Sequence, residues 1–210
     1  YNKLNTYKIM AESEDGIKVI LVGMSGTGKT NIINALTGQK FDNENITTAA
    51  SSFVEKVVQK NGKDYHLEIW DTAGQEKFRS LTKIFIKDSK IVIFVYDITN
   101  RDSFGELDYW VKTVKEILGD KAVYGLAGNK KDLFIKEQVS IEEGEKKGEE
   151  IGARFKLTSA KTEQIGINEF VEKLLEDYII KTGGKIETTE SSTINLNDKE
   201  GKKDKSGKCC

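Results

Sequence analysis

Short apolar runs alternating with helix-period segments predict an α/β fold, three layers built around a six-stranded, mostly parallel sheet with about five helices. Three observations carry that expectation. First, "IKVILV" (17–22), "IVIFVY" (91–96) and "AVYGLA" (122–127) are apolar throughout and rich in β-branched residues, the pattern of strands covered on both faces. Second, "DSFGELDYWVKTVKEIL" (102–118) is apolar at Phe104, Leu107, Trp110, Val111, Val114 and Leu118, the spacing of one helix face. Third, "FVEKVVQK" and "DYHLEIW" flank Asn61-Gly62, a pair that closes two-residue hairpins, so one antiparallel strand is expected at the sheet edge.

The other elements follow in order. "NIINAL" (31–36) reads as a helix entered from a glycine-rich turn, and Ser140 with Glu143 forms a capping-box pattern that opens another. "ARFKL" (153–157) is a short strand. The last helix, 163–180, places Ile167, Phe170, Val171, Leu174, Leu175 and Tyr178 on one stripe. His66 falls in a predicted strand and is read as structural. From Lys181 onward periodicity is lost among Gly, Ser, Thr, Asn and charges, so the expected division is an N-terminal extension (1–15), one domain (16–181) and a flexible tail (182–210).

Composition narrows the function. With 33 Lys+Arg against 34 Asp+Glu and a net charge of −1, no surface built wholly for nucleic acid is expected. Thirty of the cations are lysine, and Arg79, Arg101 and Arg154 are the only arginines, so a phosphate site must rely on backbone N–H groups and lysine. The start, "YNKLNTYKIMAESEDG", has no apolar core of signal-peptide length, and the longest apolar run, Ile91–Val95, is far too short to cross a bilayer. Cys209 and Cys210 are the only cysteines, which suits a reducing compartment and excludes a disulfide scaffold. By themselves they could form a disulfide, half of a metal site, or an attachment point for lipid.

"GMSGTGKT" (23–30) fits G-x-x-x-x-G-K-[ST] between a predicted strand and a predicted helix, where a phosphate-binding loop belongs. Its glycines let successive N–H groups turn inward, and the following helix adds the positive end of its dipole. Ser25, Gly26, Thr27, Gly28, Lys29, Thr30 and Asn31 are the candidate contacts, with Lys29 on the β- and γ-phosphates and the Thr30 hydroxyl on Mg²⁺.

Which base the loop serves must be read elsewhere. "GNKKD" (128–132) follows a strand, and an Asp displayed there accepts from guanine N1–H and the exocyclic amine together, a donor pair adenine lacks. "TSAK" (158–161) follows another strand. "WDTAGQE" (70–76) closes the hairpin, putting Asp71 at a strand's C-terminal end, where a carboxylate can hold the metal through water. Gly74 N–H can touch the γ-phosphate, and Gln75 can orient an attacking water.

With these four motifs in this order, the chain resembles a small GTPase of the Ras superfamily from about Gly16 to Lys181, its domain a P-loop NTPase G domain. The resemblance implies GTP and GDP as ligands and Mg²⁺ as cofactor. It implies Thr48 as a second magnesium ligand and Phe41 against the guanine edge. It further implies Asn129 and Asp132 reading the base, Lys130 along its face and the Ala160 N–H on its oxygen, with Ser159 and Lys161 supporting that loop. Catalysis falls to Gln75, Lys29 and Gly74. Within the superfamily, "HLEIW", "KFRSLT", "FVYDIT" and "TSAKT" are similar to Rab signatures, and Phe53, Trp70 and Phe85 match the surface aromatic triad that Rab effectors meet.

Rab resemblance also gives the terminal cysteines a use, geranylgeranylation of Cys209 and Cys210, with Lys199, Lys202, Lys203, Lys205 and Lys208 adding attraction to anionic lipid. It implies a monomer that works with an exchange factor, a GTPase-activating protein, effectors and a GDP-dissociation inhibitor or escort protein. The expected place is the cytoplasmic face of intracellular membranes, in exchange with the cytosol. Three departures from the Rab pattern stand out: "AASSF" (49–53), "FIKD" (85–88) and Leu157 in place of Glu. The rival readings are another Ras-superfamily signalling GTPase, a nucleotide-locked scaffold and a small-molecule kinase.

Overall fold

The structure, a computed structural model, describes residues 16–41, 52–71 and 79–186. Thr48, Gly74, Gln75, Cys209 and Cys210, the predicted extension and most of the predicted tail lie outside the described residues. Six strands form one sheet in the order β2-β3-β1-β4-β5-β6: β1 Ile17–Val22, β2 Ser52–Lys60, β3 Lys63–Asp71, β4 Ile91–Asp97, β5 Val123–Asn129 and β6 Arg154–Leu157. All neighbours pair in parallel except β2 with β3. That antiparallel edge pair turns through Asn61 (φ 53°) and Gly62 (φ 72°), both left-handed as a tight hairpin requires.

Among the described residues there are six α-helices: α1 Lys29–Leu36, α2 Arg79–Ile86, α3 Arg101–Gly105, α4 Leu107–Leu118, α5 Ile141–Ile151 and α6 Gln164–Lys181. The segment expected as one helix over 102–118 is thus two, divided at Glu106, which itself keeps helical dihedrals beside Gly105. Asn100 accepts hydrogen bonds from Asp102 N and Ser103 N at the start of α3. The predicted capping box of Ser140 and Glu143 is formed at the start of α5.

Alternation along the central strands sends side chains to two cores. Val19, Leu21, Leu67, Ile69 and Ile93 pack under α1 and α6, against Ile33, Phe170 and Leu174. Ile20, Val92, Phe94, Tyr96 and Leu126 pack under α2, α4 and α5, against Ile86, Trp110 and Ile151. This is the expected three-layer arrangement, and every residue of β4 is buried. On α6 the stripe differs by one position: Ile179 is buried and Tyr178 is half-buried. Because adjacent Leu174 and Leu175 are both buried, the face is broad, and the apolar Ile179 is covered while Tyr178 packs at its margin.

Candidate nucleotide site

Parallel pairing brings the C-terminal ends of β1, β3, β4, β5 and β6 to one edge of the sheet, and the candidate site lies along it. The chain leaves β1 through Gly23 (φ 151°), where an added Cβ would fall 2.1 Å from the Val95 carbonyl oxygen. Gly26 and Gly28 also take positive φ, 79° and 92°. Only glycine follows that path without strain. The Thr27 hydroxyl donates to Met24 O at 3.0 Å, closing the loop on itself.

Lys29, the first residue of α1, is buried, and its ammonium crosses the loop to donate to Gly23 O (2.9 Å) and Met24 O (3.0 Å). Burial pulls its pKa down to about 8 from the usual lysine value, partly offset by the Asp71 carboxylate. The Thr30 hydroxyl donates to Asp71 Oδ2 at 2.8 Å, so β3 and α1 meet through the two oxygen groups expected to serve a metal. Among the described residues no three His, Cys, Asp or Glu side chains converge.

At the other end a pocket of about 200 Å³ is lined by residues that include Gly28, Asn31, Phe41, Lys130, Asp132, Ala160 and Lys161. Its side chains are held from behind. Ser159 Oγ donates to Asp132 Oδ1 at 2.7 Å, and Thr162 N donates to the same Ser159 Oγ at 3.2 Å. Lys130 sits in the left-handed region (φ 67°, ψ 34°). Asn129 is buried and uses both ends of its amide: Nδ2 donates to Thr27 O (2.8 Å), while Oδ1 accepts from Thr158 Oγ1 and Ala160 N, each at 3.3 Å. One side chain therefore ties the glycine loop, β5 and the "TSAK" segment together.

The sequence that builds this site has relatives among known proteins. A model of the Ras family matches residues 18–180. Ras-related protein Rab-21 of Mus musculus is 37% identical over 202 residues, 92% of this chain and 90% of the mouse protein. Rab-21 of Homo sapiens is 41% identical over 160 residues, 76% of this chain and 69% of the human protein, and Rab-13 of Mesocricetus auratus is 35% identical over 201 residues, 95% and 98%. The chain belongs to the Rab branch of the Ras family of small GTPases.

GTP hydrolysis to GDP and phosphate is accordingly the reaction of this Rab-type GTPase. Among the described residues singled out for the site, several side chains make contacts beyond the roles expected of them. Asn129 is a strap as well as a candidate base contact. The Ala160 N–H, which the resemblance gives to the base oxygen, donates here to Asn129 Oδ1. Leu133 also lines the pocket, and Asp97 pairs with Lys130 at 2.7 Å. Neither of these two was singled out in the sequence, although Asp97 lies within the quoted "FVYDIT".

The Rab-like aromatic residues also meet. Phe53 stacks on Trp70 with ring centroids 5.4 Å apart, and Trp70 touches Phe85 at 5.5 Å. Phe53 is half exposed at 53%, which leaves its ring open on the surface. Of the arginines, Arg101 is paired with Glu143 and Arg154 with Asp177 by two hydrogen bonds each. Both are engaged away from the glycine loop. His66 is exposed on β3, with Nδ1 2.8 Å from Glu55 Oε1.

Proposed function

We propose that this Rab-type GTPase binds GTP and GDP with Mg²⁺, reads the base through Asp132, and uses the γ-phosphate to set a surface that effectors in membrane trafficking recognise. The observation that carries the reading is the Asp132 carboxylate at the pocket, aimed by Ser159 and one short stretch away from the glycine loop. A carboxylate held there accepts two donors from guanine and finds no such pair on adenine.

Thr30 and Asp71 are hard oxygen donors in contact, the ligand chemistry that suits Mg²⁺, and Thr48 joins them by resemblance. A magnesium ion coordinated mainly by phosphate oxygens and water needs no larger carboxylate cluster. When bound, it supplies neutralisation of charge on the β- and γ-phosphates. The protein's own groups do the positioning. Lys29 exchanges its carbonyl partners for phosphate oxygens, and the inward N–H groups of residues 25–30 accept the growing negative charge. Gln75 orients the water that attacks the γ-phosphate. Gly74 and Thr48 hold their loops only while that phosphate is present, which makes the surface around Phe53, Trp70 and Phe85 conditional on the nucleotide.

Arg101 and Arg154 are committed to Glu143 and Asp177 and supply no charge to the phosphates, so intrinsic hydrolysis is slow. A GTPase-activating protein that supplies one accelerates it by about 10³–10⁵-fold. An exchange factor and a GDP-dissociation inhibitor or escort protein complete the cycle. Prenylation of Cys209 and Cys210 anchors the chain to the cytoplasmic face of an intracellular membrane, two chains being needed for stable attachment; among the described residues no helix is long and apolar enough to cross one. Single-turnover hydrolysis tests the catalytic part: Gln75→Leu should slow it by at least about tenfold, and an unchanged rate would remove Gln75 from the mechanism. For the switch, limited proteolysis that cut the GDP form and a form carrying a non-hydrolysable GTP analogue identically would contradict it.

A further inference from the structure

We infer that Asp97 is a positioning residue for nucleotide retention, acting through Lys130, which it fixes as one wall of the base pocket. The inference rests on the proposed reading of that pocket as a guanine site. Lys130 lines the pocket and lies in the left-handed region at φ 67°. Its ammonium meets Asp97 Oδ2 at 2.7 Å, and the Asp97 side chain is only 8% exposed.

Asp97 is itself aimed. Its other carboxylate oxygen accepts from Thr99 N at 2.9 Å and from Thr99 Oγ1 at 2.7 Å. Its backbone N–H donates to Ser103 Oγ at 3.0 Å, and Asn100 N donates to its carbonyl at 3.0 Å. The register of β4 and β5 sets Asp97 beside Asn129, the residue before Lys130, and Ile98 N donates to Asn129 O at 3.1 Å. One nearly buried carboxylate, with both oxygens committed, therefore faces one cation across adjacent strand ends.

The physical consequence concerns freedom. An untethered lysine has several rotatable bonds, and a base that packs along its stem must still them at the moment of binding. With Nζ held by Asp97, the stem is already confined along the wall, so the bound state loses less. Asp97 thus sets how long a nucleotide stays, while Asp132 sets which base is chosen. The two carboxylates are 35 positions apart and serve one pocket from different sides.

The test is release of pre-loaded fluorescent GDP from full-length protein, with thermal unfolding recorded on the same samples. Asp97→Asn keeps an acceptor for Thr99 and removes the charge that holds Lys130; it should speed release about tenfold. Lys130→Ala should do the same, and the double variant should release no faster than Lys130→Ala alone, because both changes break one device. Release of the inosine analogue, which lacks the exocyclic amine, should accelerate by the same factor in Asp97→Asn. If that variant folds poorly, Thr99→Val loosens the same carboxylate, with about a threefold effect expected.

Unchanged release in Asp97→Asn, or effects of Asp97→Asn and Lys130→Ala that multiply in the double variant, would overturn the role of Asp97. A wild-type protein that retained GDP no better than ADP would instead overturn the guanine reading on which it stands.

Discussion

The two ends of the candidate site are built differently. At the base end each key side chain has a partner behind it: Asp132 has Ser159, Lys130 has Asp97, and Asn129 has Thr27, Thr158 and Ala160. At the phosphate end the same groups expected to serve a ligand are engaged with the protein itself. Lys29 holds two carbonyls of its own loop, and Thr30 holds Asp71. On the proposed reading, base recognition is largely preorganised, with only the Ala160 N–H, held here by Asn129 Oδ1, needing a new partner, whereas phosphate and metal binding require several exchanges. In the proposed cycle the base contacts persist in both the GTP and GDP forms, and only the contacts to the γ-phosphate come and go.

The largest expected effect lies at the exchanging end. Lys29→Met removes the buried cation aimed across the glycine loop, and GTP affinity measured by equilibrium titration should fall about 10²–10³-fold. A loss under tenfold would mean that the backbone N–H groups alone hold the phosphates and that the carbonyl-bound lysine is structural.

Between the two ends runs the Asn129–Thr27 bond, and Gly28→Ala attacks it. The new Cβ would lie 2.4 Å from Asn129 Nδ2 at a residue with φ 92°. That strain should cost about 2 kcal/mol, read as a fall in Tm of roughly 4–8 °C. If Tm holds, the strap does not couple the ends.

A pH experiment sharpens the contrast further. Burial depresses the Lys29 pKa to about 8, so its cost to the folded state is fully present below that pH. From about pH 8 to the ordinary lysine value the folded protein has shed the proton and the unfolded chain has not, so stability of the nucleotide-free protein should rise with pH across that window. Phosphates restore charge to Lys29, so GTP binding near pH 8.5 should take up a fraction of a proton. Calorimetry in two buffers of different ionisation enthalpy reads this directly; no uptake would place the ammonium away from the phosphates. The smallest effect belongs far from both ends: Arg154→Ala breaks an exposed pair with Asp177 and should move Tm by no more than about 3 °C, with GDP release unchanged.

Local chemistry made much of this legible in the sequence. The glycine loop, the Asn61-Gly62 hairpin and the Ser140–Glu143 capping box depend on a few consecutive residues, and the structure reproduces each. Buried strands were readable because both faces demand apolar side chains. The division at Glu106 was not, since Gly105 is only a mild interruption and Glu106 stays helical. Nor was the Asp97–Lys130 pair, which joins residues 33 positions apart through strand register that no local pattern reveals. Asn129 was visible as a motif residue but not as a strap, because its partners come from two segments distant in sequence.

The account turns on one carboxylate choosing guanine by its donors. Competition of GTP against ATP on the purified chain, repeated with Asp132→Asn, measures that choice. Wild type should prefer GTP by about 10²–10⁴-fold, as two charge-assisted hydrogen bonds imply, and Asp132→Asn should erase most of that margin. Equal affinity for both nucleotides in wild type, or an undiminished preference in Asp132→Asn, would contradict it.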